Sequence, residues 1–268
     1  MTSAPFNRRL LRTDGVQIAL FCLLLVAVAA GIVYGATAMP YRWQWARVPP
    51  YIFKAVNGTL YPGPLLQGLL VTLRISAWAS LAMLAIGLVA ALLLLSRSFA
   101  GRGIARCYVE IIRNTPLLVQ IYLIYFVLAP ILGLGREAAG ILALALFEGA
   151  FATEIIRAGI LAVPRSQGEA ALSLGLRPWQ VQAFVLLPQA ARIVLPPLTG
   201  LAISLVKHSA IVSAIAIFDL ASEGRNAIAD TFMTFEIWLT VAAIYLVVTT
   251  TLSLLASLLE RRLARVTR

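Results

Sequence analysis

VPRSQGEAALSLGLRPWQVQAFVLLP, residues Val163–Pro188, is a polar, proline-bracketed stretch inside a chain that is otherwise overwhelmingly apolar. Pro164 suits the first turn of a helix, where its missing N–H costs nothing. Ser166–Leu174 then reads as a short helix, and Gly175 falls where a left-handed residue would end it. Pro178 restarts a second helix through Phe184 to Leu187, and Pro188 is expected to stop or kink it. Ala170, Ala171 and Leu174 stand at i, i+1 and i+4, a narrow face that can seat closely in another protein's groove. Glu169 beside them offers a charge to a partner and suits the start of the helix. The rival reading, two helices lying on lipid headgroups, needs a basic face opposite a large apolar one. The first helix, rich in alanine and serine with a single acid, lacks it.

The elbow sits in a membrane protein. The chain has 268 residues, 61% of them hydrophobic and 12% charged, and a soluble domain of that size needs a more polar exterior. Ile18–Met39, Ile75–Ser96, Asn114–Gly135 and Ile237–Leu259 are charge-free runs longer than the roughly 20 residues that cross a bilayer core. Ala138–Ile160 and Ile193–Phe218 are as long but carry ionisable residues. Six helices are predicted.

The net charge of +11 reports topology and not a nucleic-acid partner. Arg8, Arg9 and Arg12 precede the first span, and Arg97, Arg102, Arg106 and Arg113 follow the second. Arg157, Arg165, Arg177 and Arg192 surround the elbow, and Arg261, Arg262, Arg265 and Arg268 close the chain. The alternate connections hold only Arg42, Arg47 and Lys54, then Arg136, then Arg225. Lys and Arg accumulate in cytoplasmic loops, so both termini and the elbow are expected inside. The first apolar run is too long for a signal peptide and lacks a convincing cleavage site, so it reads as a retained helix. Cys22 and Cys107 are too few and too far apart for a metal site or a disulfide framework.

Catalytic chemistry is absent from the pattern. No G-x-x-x-x-G-K-[ST] phosphate cradle occurs, so the chain is not expected to hydrolyse ATP, and no cofactor or metal is expected in it. His208 is the sole histidine; it reads as a packed or pore-lining residue and not as a catalytic base. Transport, or a scaffold for it, remains.

EAALSLGLRPWQVQAFVLLP closely resembles the cytoplasmic signature of ABC-importer permeases: Glu169-Ala170-Ala171, then Gly175, then Val185, Leu187 and Pro188 in an Ile-x-Leu-Pro-like ending. Val185 stands where isoleucine is usual. RNTPLLVQIYLIYF (Arg113–Phe126), GAFATEIIRAGI (Gly149–Ile160), LVKHSAIVSAIAIFDL (Leu205–Leu220) and LLERRL (Leu258–Leu263) are similar to the polar-amino-acid branch of that family, the histidine, glutamine, arginine and opine type. The resemblance implies an all-α integral membrane protein of the type I ABC-importer permease fold, with a five-helix core and one extra N-terminal helix. The implied layout is a cytoplasmic start at 1–15, the extra helix at 16–39, a periplasmic segment at 40–64, the core at 65–260 with coupling helices at about 164–187, and a basic cytoplasmic end at 261–268. It further implies two ABC ATPase subunits that carry ATP and magnesium, a second permease subunit, identical or paralogous, and a periplasmic solute-binding protein. The location implied is the bacterial inner membrane, with lipid around the chain and an amino acid as substrate. Glu169, Ala170, Ala171, Leu174, Gly175, Arg177 and Pro178 are the implied ATPase-coupling residues.

Ionisable residues inside spans are functional hypotheses by default. Arg74 is expected to snorkel to the outer interface. Glu154 and Lys207 fall near the middle of their spans; they could pair with each other, or each could take one charge of a free amino acid. Glu154 matches the acid of the branch's A-E-I-x-R pattern, while Arg157, three residues on, is a competing partner. Glu148 departs from the branch, where a small or hydroxylated residue is expected. It lies about 120° round the helix from Glu154, facing another subunit or adding negative character to the path. Gln120 and Tyr125 are candidate polar liners, with packing and interhelical hydrogen bonding as the alternatives. Two rivals stand beside the permease. An ion-coupled secondary carrier would accommodate Glu154 and Lys207 but leaves the elbow idle, and no duplicated half is visible. A non-transporting anchor leaves Glu148, Glu154 and Lys207 without a reason.

Overall fold

Among the described residues, 8–265, five helices are long and apolar enough to cross a membrane: Gly15–Ala38, Pro64–Leu95, Arg136–Leu161, Pro178–Ile215 and Thr234–Leu258. The structure is a computed structural model. Residues 1–7 and 266–268, the outermost parts of the basic ends expected at 1–15 and 261–268, lie outside the described residues. The sixth expected span, Asn114–Gly135, is shorter than its apolar run. It occupies Leu117–Leu132 and reaches spanning length only together with the preceding helix Phe99–Arg113, from which it is bent by 111°.

The chain forms two units. The first ends at Trp43 and holds α1 (Arg8–Ala38), followed by Tyr41 and Trp43 with their rings edge-on at 5.3 Å. The second begins at Gln44. Its opening segment is folded: a 3₁₀ turn (Trp45–Arg47), α2 (Pro49–Ile52) and a hairpin of β1 (Phe53–Val56) with β2 (Thr59–Pro62), in register Phe53↔Pro62 to Val56↔Thr59. Asn57 and Gly58, at φ 52° and 78°, make the two-residue turn, as an Asn-Gly pair favours. The backbone N–H of Gln44 donates to the buried carboxylate of Glu236 at 2.6 Å, which ties this segment to the start of the last helix.

Pro64 at the first position starts α3 (Pro64–Leu95), and α3 packs most extensively against α7 (Arg136–Leu161). Gly87 explains the close approach: a Cβ there would stand 2.7 Å from that of Ala152, and small residues are what let membrane helices touch. The arginine-rich connection expected after the second span is itself a helix, α4 (Phe99–Arg113), started by the Ser98 hydroxyl accepting from Gly101 N–H at 3.1 Å. Ala105 and Val109 face inward, Arg102 and Arg106 outward, and the Tyr108 hydroxyl donates to the Leu146 carbonyl at 2.7 Å.

The third span runs as α5 (Leu117–Tyr122), a π-helical segment (Leu123–Leu128) and α6 (Ala129–Leu132). The same device recurs after the elbow, where α8 (Arg165–Ser173) and the short α9 (Pro178–Gln180) are followed by a π segment, Val181–Leu186, and then α10 (Leu187–His208). Each π segment precedes a proline, Pro130 or Pro188. Proline cannot donate backward and its ring crowds the carbonyl four residues earlier, and a widened turn absorbs both faults while the helix continues. Pro188 therefore does not end the second elbow helix. That helix runs on into the span, which reaches through a 3₁₀ segment (Ser209–Ile215). α11 (Leu220–Thr231) and α12 (Thr234–Arg265) complete the chain. The Asp219 carboxylate caps α11 by accepting from Ser222 N–H at 3.0 Å and Ala221 N–H at 3.3 Å. Burial raises its pKa, with those hydrogen bonds pulling the other way.

Candidate functional site: a helix pair and its elbow

The intramembrane acids lie on α7, a helix rich in alanine and glycine and therefore able to pack closely on both α3 and α10. Glu148 is 1% exposed, and its Oε1 bonds Nδ1 of His208, the last residue of α10. The side face of His208 meets Phe147 edge-on at 6.2 Å. Within this chain Glu148 is buried, and its exposed neighbour is the His208 ring, 43% open. Glu148 makes a tertiary bond to His208, a residue that reads from the sequence as packed or pore-lining. Nothing in the spacing links the two, which stand 60 residues apart.

Glu154, 31% exposed, is held by Arg157 on its own helix, with Nη2 at 2.7 Å and Nε at 3.1 Å from one carboxylate oxygen. Of the two partners left open by the sequence, the local one is made. Lys207 is exposed, and among the described residues it forms no ion pair. Arg74 pairs with Glu137 of the first turn of α7 at 2.6 Å, both side chains about half exposed.

Gln120 does not line an opening. It is buried at the bend between α4 and α5, where its Nε2 donates to the carbonyls of Ile112 at 2.8 Å and Thr115 at 3.1 Å and contacts the Thr115 hydroxyl at 2.7 Å. Its other side-chain atom, Oε1, is buried without a partner. Its amide stabilises the corner. Tyr125 lies in the first π segment, partly buried against the core, with its ring edge-on to Phe126 at 4.9 Å. Near the same corner Arg113 stands over the ring of Phe151 at 5.4 Å, a cation–π contact that ties α4 to α7.

The elbow has the turn its sequence predicts. Gly175 takes φ +80°; its N–H donates to Leu172 at 2.9 Å and Leu176 N–H to Ala171 at 3.3 Å, the paired bonds of a Schellman end. Gln180 Oε1 accepts from Arg177 N–H at 2.8 Å, and Pro178 takes the first position of α9. One member of the expected docking face is displaced: Ala171 turns inward and is buried, because i and i+1 on a helix diverge by about 100°. Ala170, Glu169 and Gly175 remain outside, and Leu174 is 83% exposed. Trp179 and Phe184, which the sequence reading passed over, add exposed rings 6.0 Å apart. A 440 Å³ cleft lies in the elbow, lined by Pro164, Gly168, Glu169 and Pro178 among others. A wider 660 Å³ cleft between α3, α10 and α12, lined by Ser76 and Thr199 in an apolar wall, includes none of the acids and is not assigned to the path.

A multi-pass helical bundle with ionisable pairs on its central helix and an exposed elbow between two spans has the build of a membrane transport component. Residues 83–265 match the model of the family described as binding-protein-dependent transport system inner membrane component, and the chain belongs to it. It is 35% identical over 229 residues to the glutamine transport system permease protein of Escherichia coli (strain K12), covering 83% of this chain and 98% of the relative. A probable glutamine ABC transporter permease protein of Bacillus subtilis (strain 168) is 41% identical over 160 residues, 59% of this chain and 74% of the relative. Among solved structures, a crystal structure of an amino acid ABC transporter with histidines superposes with a TM-score of 0.69 at 40% identity, over 74% of this chain and 94% of that one. The methionine transporter MetNI, at 23% identity and a TM-score of 0.62 over 74% of this chain and 95% of that one, shares the fold. The five-helix core with an additional N-terminal helix is therefore that of a type I importer permease, and the secondary-carrier and anchor readings fall away.

Proposed function

We propose that this chain, with a second permease subunit, forms the gated path of an importer for polar or basic amino acids, amino acid conjugates such as opines included. A periplasmic binding protein delivers the substrate, and two ABC ATPase subunits, which hold ATP and magnesium, supply the drive. Both termini and the elbow lie on the cytoplasmic side, in keeping with the arginine distribution. The names of the relatives favour glutamine-like substrates. Partly exposed Glu154 is the contact for the substrate ammonium: Arg157 balances its charge until an incoming cation competes for the carboxylate.

The observation that carries the reading is mechanical continuity. Docking on the ATPase uses Glu169, Ala170, Leu174, Gly175, Arg177 and Pro178, with Leu174, Trp179 and Phe184 as apolar contacts of the kind exposed patches provide. From Pro178 the chain is helical without a break to His208, which bonds Glu148 at the middle of α7. A push at the elbow is thereby delivered to the intramembrane pair.

Gly175→Val tests it. A β-branched residue at φ +80° is strained by about 1–2 kcal/mol and disrupts the turn, while a Cβ there meets nothing within 4 Å, so insertion and assembly are retained. Ligand-stimulated ATPase activity of the purified complex is expected to fall towards its basal rate. Full stimulation in the variant would remove the elbow from coupling.

A further inference from the structure

Between Gln44 and Gly63 the chain carries the cations Arg47 and Lys54 but no acid, and the aromatic residues Trp45, Tyr51, Phe53 and Tyr61. Aromatic rings and long cationic side chains are what a membrane–water interface collects. The segment is tied down at both ends. Gln44 N–H donates to the buried Glu236 carboxylate in the first turn of α12. Gly63 N–H donates to the Ile52 carbonyl at 2.7 Å, and a Cβ on Gly63 would stand 2.5 Å from the Tyr51 carbonyl oxygen. Tyr51 and Ile52 pack against the core cluster that holds Leu65 of α3 and Ile237 and Val241 of α12. Beside them a 370 Å³ cleft has Trp45 and Ile52 on one wall and Leu239, Ala243 and Val247 of α12 on the other. Those α12 residues stand about 7–20 Å along the axis from Thr234, within the apolar stretch Thr234–Leu258 that is long enough to span. An apolar cleft at that depth faces lipid and not water.

The hairpin has one apolar face. Phe53 pairs with Pro62 and Ala55 with Leu60, so these four residues share a side of the two-stranded sheet. All four are exposed, Leu60 to 74%. The other face carries Lys54, Thr59 and Tyr61, and Lys54 forms no ion pair among the described residues. A two-stranded hairpin is marginal in water by itself, and this one presents its apolar side outward.

We propose that the segment Trp45–Pro62, read from the sequence as lying outside the membrane, is seated in the membrane interface, with phospholipid as its occupant. The face of Phe53 and Leu60 meets the acyl region, Lys54 and Arg47 reach the lipid phosphates, and an acyl chain fills the cleft between Trp45 and α12. Phospholipid fits both halves of the segment: the cleft is walled by a spanning helix, and a segment whose charges are all cations complements phosphate. Seated in this way, the segment sets the depth at which the ends of α3 and α12 stand in the bilayer.

The test is spin labelling of the permease–ATPase complex in nanodiscs of phosphatidylcholine and phosphatidylglycerol, with Cys22 and Cys107, both exposed, replaced by alanine. Single labels are attached to Leu60→Cys and Ala55→Cys on the apolar face and to Thr59→Cys on the other. All three positions are exposed, so the substitutions leave the fold intact. Collisions with oxygen, which concentrates among acyl chains, are compared with collisions with a water-soluble nickel chelate. The oxygen-to-nickel ratio is expected to be several-fold higher at 60 and 55 than at 59, as for an element sunk into the headgroup–acyl boundary by its apolar side. Equal ratios on the two faces overturn the proposal. Low access to both reagents at 60 marks a protein cover and also overturns it. Nickel access at 60 that is lost only on adding substrate-loaded binding protein gives the face to that protein and overturns it likewise. None of these outcomes touches the importer reading.

Discussion

Glu148 and Glu154 ride on the same helix, yet Glu148 is bonded across the fold to His208 of α10, whereas Glu154 is bonded to Arg157 one turn further along α7. Glu148 has no exposed surface to speak of; about a third of Glu154 is open. A tertiary pair whose acid is 1% exposed is part of the packing, and its loss is expected to lower stability. A local pair at partial exposure keeps its charge whether or not the fold moves, and can exchange its partner for a substrate cation. Two acids with identical chemistry are thus divided between a bond across the fold and a bond within one helix, and only the second is placed as the proposed contact for the cargo.

The sharpest way to break this contrast is His208→Ala. It leaves Glu148 buried without its partner, a change that costs roughly 3–5 kcal/mol. Thermal unfolding of the purified complex is expected to fall by about 10 °C, on the scale of 2–4 °C per kcal/mol for a chain of this size. Adding Glu148→Ser should restore most of the loss, since removing both partners together strands nothing. Unchanged unfolding in His208→Ala would mean that Glu148 is not committed to the fold.

Glu154→Gln approaches the contrast from the other side. Size is kept, charge is lost, and the neighbouring Arg157 is more than a third exposed, so unfolding should shift by no more than about 1 °C. Uptake of glutamine with an unchanged binding protein should fall by at least about tenfold, because a charge-assisted bond to the substrate ammonium is worth about 1.5–3 kcal/mol. A stability loss as large as that of His208→Ala, with uptake per folded complex preserved, would make both acids structural.

Which of these features could be read in the residues depends on how local their causes are. The elbow was legible because a glycine after a helical run and a proline two residues further on are answered by the backbone within a single turn, as the bonds at Gly175, Leu176 and Gln180 record. The Glu154–Arg157 pair was legible as one of two options for the same reason. The Glu148–His208 bond was not, because it depends on the depth at which α7 crosses α10. Gln120 was legible only as a set of alternatives, lining, packing or hydrogen bonding; the hydrogen-bonding one is made, and its partners are the carbonyls of Ile112 and Thr115 at a 111° bend. The arginines after the second span mark a membrane side equally well from a loop or a helix, and the helix α4 is not specified by them. Pro188 was expected to interrupt, yet a π turn carries the helix past it.

The smallest effect belongs to the third acid of α7, Glu137, and completes the series. It pairs with Arg74 at 2.6 Å in reach of solvent, with exposures of 52% and 54%. Exposed pairs contribute about 0.2–1 kcal/mol. Glu137 also stands in the first turn of α7, where the helix dipole favours its charge without any partner. Arg74→Gln should therefore lower unfolding by no more than about 3 °C at low salt, and by less at 0.5 M salt, where screening weakens what remains of the attraction. Uptake should be unaltered at both ionic strengths, because neither residue approaches the Glu148–His208 or Glu154–Arg157 pairs through any shared bond. A drop in unfolding comparable with that of His208→Ala and insensitive to salt would show that exposure does not rank these three acids, and would take with it the division of labour between Glu148 and Glu154.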